Sequence, residues 1–149
     1  MTENIKASIK HEVSLSMKEG NKFRTTTLRL MVSAFQVEEI SKKEELNDKE
    51  CIEILEKMIK QRKDSISQFE SAGREELSKK EKDEILIIQE FMPEQLSVEE
   101  IDILIKKVIS ETNAESMKDM GKVMGMLKKL TSGKADAGYI SSEVKKALS

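Results

Sequence analysis

Between residues 52 and 69, the side chains Ile52, Leu55, Ile59, Arg62, Ile66 and Phe69 follow one another at intervals of 3, 4, 3, 4 and 3. Such spacing brings residues onto one face only in an α-helix, and its alternation is that of long helices packed nearly antiparallel. The rest of the chain permits the same structure. One proline in 149 residues, few β-branched runs and an abundance of Lys, Glu, Leu, Ile and Met favour helix almost everywhere. Apolar residues make up 38% of the chain, as expected where long helices each bury a single stripe. A chain of this length is one domain or two small ones, and it buries roughly 70% of its unfolded surface without a metal or disulfide staple.

Seven helices follow from periodicity and end signals. A first, about 3 to 19, places Ile5, Ile9, Val13 and Met17 at helical spacing and closes at Gly20-Asn21. A second, about 22 to 45, is apolar on more than one face through LRLMVSAF (28 to 35), which predicts a central position. Asn47 with Glu50 forms a capping box for the helix that holds the seam, and Gly73 ends it. A fourth, about 74 to 91, carries Leu77, Ile85 and Ile88 and stops at Pro93. Ser97 with Glu100 opens a fifth helix, Ser116 caps a sixth, and Asp136 caps the last, with Ile140, Val144 and Leu148 inward. The expected architecture is all-α, with an N-terminal subdomain of about four helices (1–92) and a C-terminal three-helix subdomain (93–149) divided at Pro93.

Several classes of chemistry are excluded by residue supply. His11 is the only histidine and Cys51 the only cysteine, so no zinc-ligand spacing exists, no internal disulfide can form and no nucleophile–base pair has support. Cys51 is expected to be a small, partly buried side chain and His11 an exposed one. The glycine stretch MGKVMGMLKKLTSGKADAG (120 to 138) fails as a phosphate loop. Lys128 stands where the first glycine is required, and Ala135 where Ser or Thr follows the lysine. Gly121 and Gly125 instead share one face of the sixth helix, at a cost of roughly 2 kcal/mol relative to alanine. Close approach by another helix would offset that cost. Gly133 suits a helix-ending turn, and Gly138 the first turn of the last helix. No catalytic constellation, metal site or cofactor site is visible.

Charge points elsewhere. From 118 to 149, seven lysines (Lys118, Lys122, Lys128, Lys129, Lys134, Lys145 and Lys146) face three acids, a balance of +4 in a chain whose net charge is −2. Such asymmetry suits contact with nucleic-acid phosphates, although a lysine cluster on helices is ordinarily a solvated face. Phe23, Phe35, Phe69 and Phe91 sit at core spacing, leaving Tyr139 as the one stacking platform, so any RNA contact reads backbone shape.

The segments KQRKDSISQFESAGREEL (60 to 77), EFMPEQLS (90 to 97) and SMKDMGKVMGMLKKLTSGKADAG (116 to 138) resemble the YqeY-like proteins, in order and nearly end to end. That family is related to the tail domain of the GatB component of the glutamine-dependent aminoacyl-tRNA amidotransferase. The resemblance implies an all-α fold with a C-terminal three-helix subdomain. It also implies contact with tRNA through the block holding Gly121, Lys122, Gly125, Lys128 and Lys134. The relative's amide transfer belongs to a separate catalytic domain that nothing in these residues resembles.

The leading expectation is a non-catalytic module for tRNA or structured RNA. One alternative is a protein-interaction adaptor built on the N-terminal helices, with Met58 or Ile87 exposed for a protein partner. Another is an accessory subunit of an amidotransferase (a carbon–nitrogen ligase using glutamine) whose catalysis comes from elsewhere. No DNA or membrane partner is expected, since no run approaches the ~20 apolar residues of a span. The first twenty residues lack the apolar core of a secretory signal, and Glu3, Glu12 and Glu19 argue against a transit peptide, so the expected location is cytoplasmic.

Overall fold

The computed structural model describes residues 4–149, and among these it contains seven α-helices and no strand. The helices are α1 (Ile5–Lys18), α2 (Lys22–Lys42), α3 (Asp48–Ser71), α4 (Glu75–Gln89), α5 (Val98–Thr112), α6 (Met120–Thr131) and α7 (Ala137–Leu148), with a 3-10 turn at Met117–Asp119 before α6. The all-α expectation holds. Residue 3, where the first helix was expected to begin, lies outside the described residues. Contacts gather the chain into two compact units, Met1–Met92 and Pro93–Ser149.

Local chemistry sets the helix ends. The Asn47 carboxamide accepts from the Glu50 N–H at 2.9 Å while the Glu50 carboxylate accepts from the Asn47 N–H at 3.2 Å, which satisfies two donors that the first turn of α3 leaves open. At the far end Gly73 takes φ 72°, a left-handed conformation a Cβ would strain, and lets the Arg74 N–H reach back to the Phe69 carbonyl at 2.8 Å. α2 stops at Lys42, short of the expected 45. Lys43 turns left-handed at φ 61°, and the Glu39 carboxylate takes the Leu46 N–H at 3.0 Å in place of a further helical turn.

In the first unit α1 packs on α2 and α3 on α4, while α2 also meets α3 and α4. Ile9, Leu28, Met31, Phe35, Leu55 and Ile88 are completely buried at the centre, beside Cys51 and Met58. Charged side chains tie the helices at the margin of this core. Arg24 grips Glu90 with two bonds, at 2.6 and 3.1 Å, and reaches Glu12 at 3.1 Å. Arg62, the one charged member of the α3 seam, donates from Nε to Glu84 of α4 at 2.7 Å.

Lys6 bonds both oxygens of Glu39, at 2.7 and 2.9 Å. That contact, joined by the Leu46 N–H, holds the Glu39 carboxyl below the ordinary carboxylate range. It likewise holds the Lys6 ammonium above its usual range. The pair therefore stabilises the fold at neutral pH. Its contribution goes as pH falls through the lowered Glu39 value or rises through the raised Lys6 value. Glu39→Gln is expected to lower the melting temperature near neutrality and to flatten its acid dependence. A wild-type melt no more acid-sensitive than the variant's contradicts this.

The central position expected for residues 28 to 35 holds for one stripe only. Leu28, Met31 and Phe35 are buried, but Leu30 faces solvent, and beyond this stretch Val37 and Ile40 do too. Phe23, read as a core residue, is exposed as well. Conversely Met58, offered as an exposed adaptor residue, is buried, and Ile87 is partly buried against the same core. In the second unit Ile101, Ile105 and Val108 of α5, Val123 and Leu127 of α6, and Ile140, Val144 and Leu148 of α7 make a separate core.

Candidate nucleic-acid interface

The face in question begins with a cap. The Asp119 carboxylate accepts from the N–H groups of Glu115, at 2.9 Å, and Ser116, at 3.3 Å, while Ser116 Oγ accepts from the Lys118 N–H. Those two backbone bonds hold the Asp119 carboxyl below its usual range, with Lys122 adding to the effect. This starts the 3-10 turn that runs into α6. Val123, Leu127 and Thr131 then turn inward, and the Thr131 hydroxyl is satisfied by the Leu127 carbonyl at 2.8 Å.

With 3.6 residues per turn, the opposite side of α6 presents Gly121 and Gly125 one turn apart. Lys122 and Lys129 lie along one flank and Lys128 along the other. All five are exposed. The expectation that the two glycines admit a neighbouring helix is corrected here. A Cβ built on either meets nothing within 4 Å, because the apolar stripe that α6 buries lies on the other side. The pair makes a strip of bare backbone facing solvent, edged by cations.

The turn after α6 is anchored from a distance. Gly133 takes φ 74°, and its carbonyl accepts from Gln95 Nε2 at 2.8 Å. The Lys134 carbonyl accepts from the Leu96 N–H at 2.8 Å, and its side chain is exposed. Gln95-Leu96 of one segment singled out in the sequence and TSGKADAG of another thus meet in space, and Gln95 anchors a turn through a contact that no local pattern flagged. Pro93 itself follows the end of α4 and leaves its carbonyl to a second Gln95 bond at 3.1 Å. Gly138 needs no left-handed backbone and sits beside the Asp136 cap, which accepts its N–H at 2.9 Å.

The remaining lysines do not all join this strip. Lys118 is exposed on the 3-10 turn just before it, whereas Lys145 and Lys146 belong to α7, where Lys146 reaches Glu143 at 3.3 Å. Tyr139 is no open stacking platform. It is half-buried against the core of the second unit, and burial first, then Asp102 and Glu143, push its phenol up. Among the described residues of the second unit, no aromatic ring stands open for a base to stack on.

Neither cysteine nor histidine chemistry gains support from position. Cys51 is fully buried in the first unit, and burial pushes its thiol up, away from the reactive thiolate. His11 is exposed on α1. Among the described residues no three His, Cys, Asp or Glu side chains are grouped to hold a metal, and no helix is long and apolar enough to cross a membrane.

Comparison with known proteins adds a family. The model of the Yqey-like protein family matches residues 6–148. The uncharacterised protein C22F3.15 of Schizosaccharomyces pombe is 34% identical over 94 residues, covering 63% of this chain and 76% of that protein. Altered inheritance of mitochondria protein 41, mitochondrial, of Kluyveromyces lactis is 32% identical over 108 residues, 70% of this chain but only 58% of its own length. The protein of the same name in Pyrenophora tritici-repentis is 28% identical over 136 residues, 89% of this chain and 75% of that one.

The last two names correct the cytoplasmic expectation, since the similarity runs to proteins named as mitochondrial. The composition of twenty residues does not fix a compartment. A folded helical domain bears no mark of its compartment, and targeting information is a separate segment.

Proposed function

The chain belongs to the Yqey-like protein family, and from that premise we propose that it is a non-catalytic module that binds structured RNA through the outer face of α6. The observation that carries this reading is the bare Gly121–Gly125 backbone with exposed lysines on both flanks. Two glycines of α6 open to solvent, Gly121 in its first turn and Gly125 in its middle, cost roughly 1 to 2 kcal/mol with no packing in return. A partner that comes close to the helix backbone supplies the return. An RNA phosphate backbone does so while meeting Lys122 and Lys129 on one side and Lys128 on the other, which favours a double-stranded arm over a single strand. Lys118 and Lys134 extend the cationic surface beyond the two ends of the helix. The likeness to the tail domain of the amidotransferase component, which meets tRNA, agrees in direction. Amide transfer itself would need every catalytic group from another protein.

Fluorescence anisotropy with total tRNA, and with an unstructured RNA of equal length, tests this. Wild-type protein is expected to bind tRNA more tightly than the control, and Lys122→Glu/Lys128→Glu/Lys129→Glu to lose that binding while keeping its helical circular dichroism. Equal weak binding of both RNAs, or a variant that binds as wild type does, overturns the proposal.

A further inference from the structure

We propose that the outer face of α2 is a docking surface for an amphipathic helix of a partner protein that carries carboxylates along one flank. Residues 23, 26, 30, 33, 37 and 40 follow at intervals of 3, 4, 3, 4 and 3, and they read Phe, Thr, Leu, Ser, Val, Ile. All six are exposed. The four apolar ones keep much of their surface in water: Phe23 39%, Leu30 45%, Val37 68% and Ile40 77%. Isolated exposed apolar residues are ordinary. A line of them at coiled-coil spacing, on a helix whose other side already fills a core with Leu28, Met31 and Phe35, is a second seam without a partner. It runs about 26 Å along the helix, the length of roughly five turns.

Charge along its edge selects the occupant. Lys22 and Arg29 stand one heptad apart on the same flank, and neither is in an ion pair among the described residues. Arg29 lies instead against the Met17 sulfur at 3.3 Å, and Met17 is itself exposed, which widens the apolar strip at that level. The opposite flank offers no cation: Thr27 is buried, Ala34 packs against the core, Ser41 is exposed, and the exposed Glu38 stands beyond them. A helix bringing Leu- or Ile-type residues to the seam and Asp or Glu to the Lys22–Arg29 edge satisfies both features.

A second copy of this chain does not. Antiparallel pairing sets Leu30 against Ser33 in the middle layers, while parallel pairing stacks Thr26 on Thr26 and Ser33 on Ser33. This surface belongs to the first unit and is independent of the α6 strip, so the two proposals stand or fall separately.

The test uses the full chain and synthetic helical peptides of about three heptads with leucine along the seam. One peptide carries glutamate along the single flank that meets Lys22 and Arg29, and its twin carries lysine there. The glutamate peptide is expected to bind about tenfold more tightly than the lysine twin, two attractions having become two repulsions. Leu30→Glu/Val37→Glu, at exposed positions, is expected to abolish binding without moving the melt, and Lys22→Glu/Arg29→Glu to reverse the preference between twins. Equal binding of both peptides, or none, overturns the proposal. So does self-association in sedimentation, or binding to phosphatidylserine vesicles, that Leu30→Glu/Val37→Glu removes while leaving peptide binding unchanged.

Discussion

Arg62→Ala is expected to destabilise the first unit by roughly 3 kcal/mol, the cost of leaving a buried carboxylate without its partner. The guanidinium and the Glu84 carboxylate it meets are only 13% and 10% exposed, and Glu81 stands near at 3.9 Å. Arg62 Nη1 also donates to the Met58 carbonyl at 3.2 Å. Removal therefore opens the α3–α4 contact as well as the ion pair, and a melting temperature lower by at least roughly 12 °C is the expected reading. Arg62→Met combined with Glu84→Leu removes both charges and fills the space with apolar atoms. It is expected to recover most of the loss, because a paired buried charge gains little over a packed apolar pair. If the single variant melts within about 2 °C of wild type, the pair is solvated more than its burial indicates.

Gly121→Ala with Gly125→Ala has the opposite sign. Both sites are open, so the added methyl groups meet nothing, and the helix gains roughly 1 to 2 kcal/mol in propensity, most of it at Gly125, since Gly121 lies in the first turn. The second unit is expected to melt roughly 8 °C higher. Tighter protection of the α6 amides in hydrogen exchange should accompany the shift. The same double variant is expected to bind tRNA more weakly, since two methyl groups now hold the phosphate backbone away from the helix. A lower melting temperature would mean that the glycines are needed for packing after all. Higher stability with unchanged tRNA binding would separate the glycines from recognition and leave the lysines alone to account for it.

Most of the helical architecture is legible because its signals are local. Asn47 with Glu50, Ser97 with Glu100, Gly20, Gly73 and Pro93 are read within a few residues of one another, and each stands at or just past a helix end. At Ser97 only half of the expected capping box forms: its hydroxyl accepts from the Glu100 N–H, while the Glu100 carboxylate takes the Ser97 hydroxyl and not its backbone N–H. Faces are another matter. Gly121 and Gly125 have the same spacing whether the glycine face is packed or bare, and only the position of Val123 and Leu127 within the three-helix core decides between them. α2 carries two apolar stripes, through Leu28–Met31–Phe35 and through Phe23–Leu30–Val37, and periodicity assigns neither to the core. The bonds from Gln95 to Gly133 and from Leu96 to Lys134 join residues 38 apart in sequence, where no local pattern operates. Of the lysines read as one cluster, those on α6 share a face, while Lys145 and Lys146 lie on another helix.

The salt dependence of tRNA binding bears most directly on the proposed RNA-binding role of the α6 face. Each lysine that neutralises a phosphate releases counterions, so the slope of log K against log salt counts neutralised phosphates, at about 0.9 for each on a duplex. Wild type and Lys122→Gln/Lys128→Gln/Lys129→Gln would be measured over the same salt series, with circular dichroism to show that both remain helical. A slope shallower by about 2 to 3 in the variant is the predicted result, since each lysine removed leaves one phosphate unneutralised. Equal slopes would mean that α6 meets no phosphates, and the RNA-binding reading of this face would be wrong.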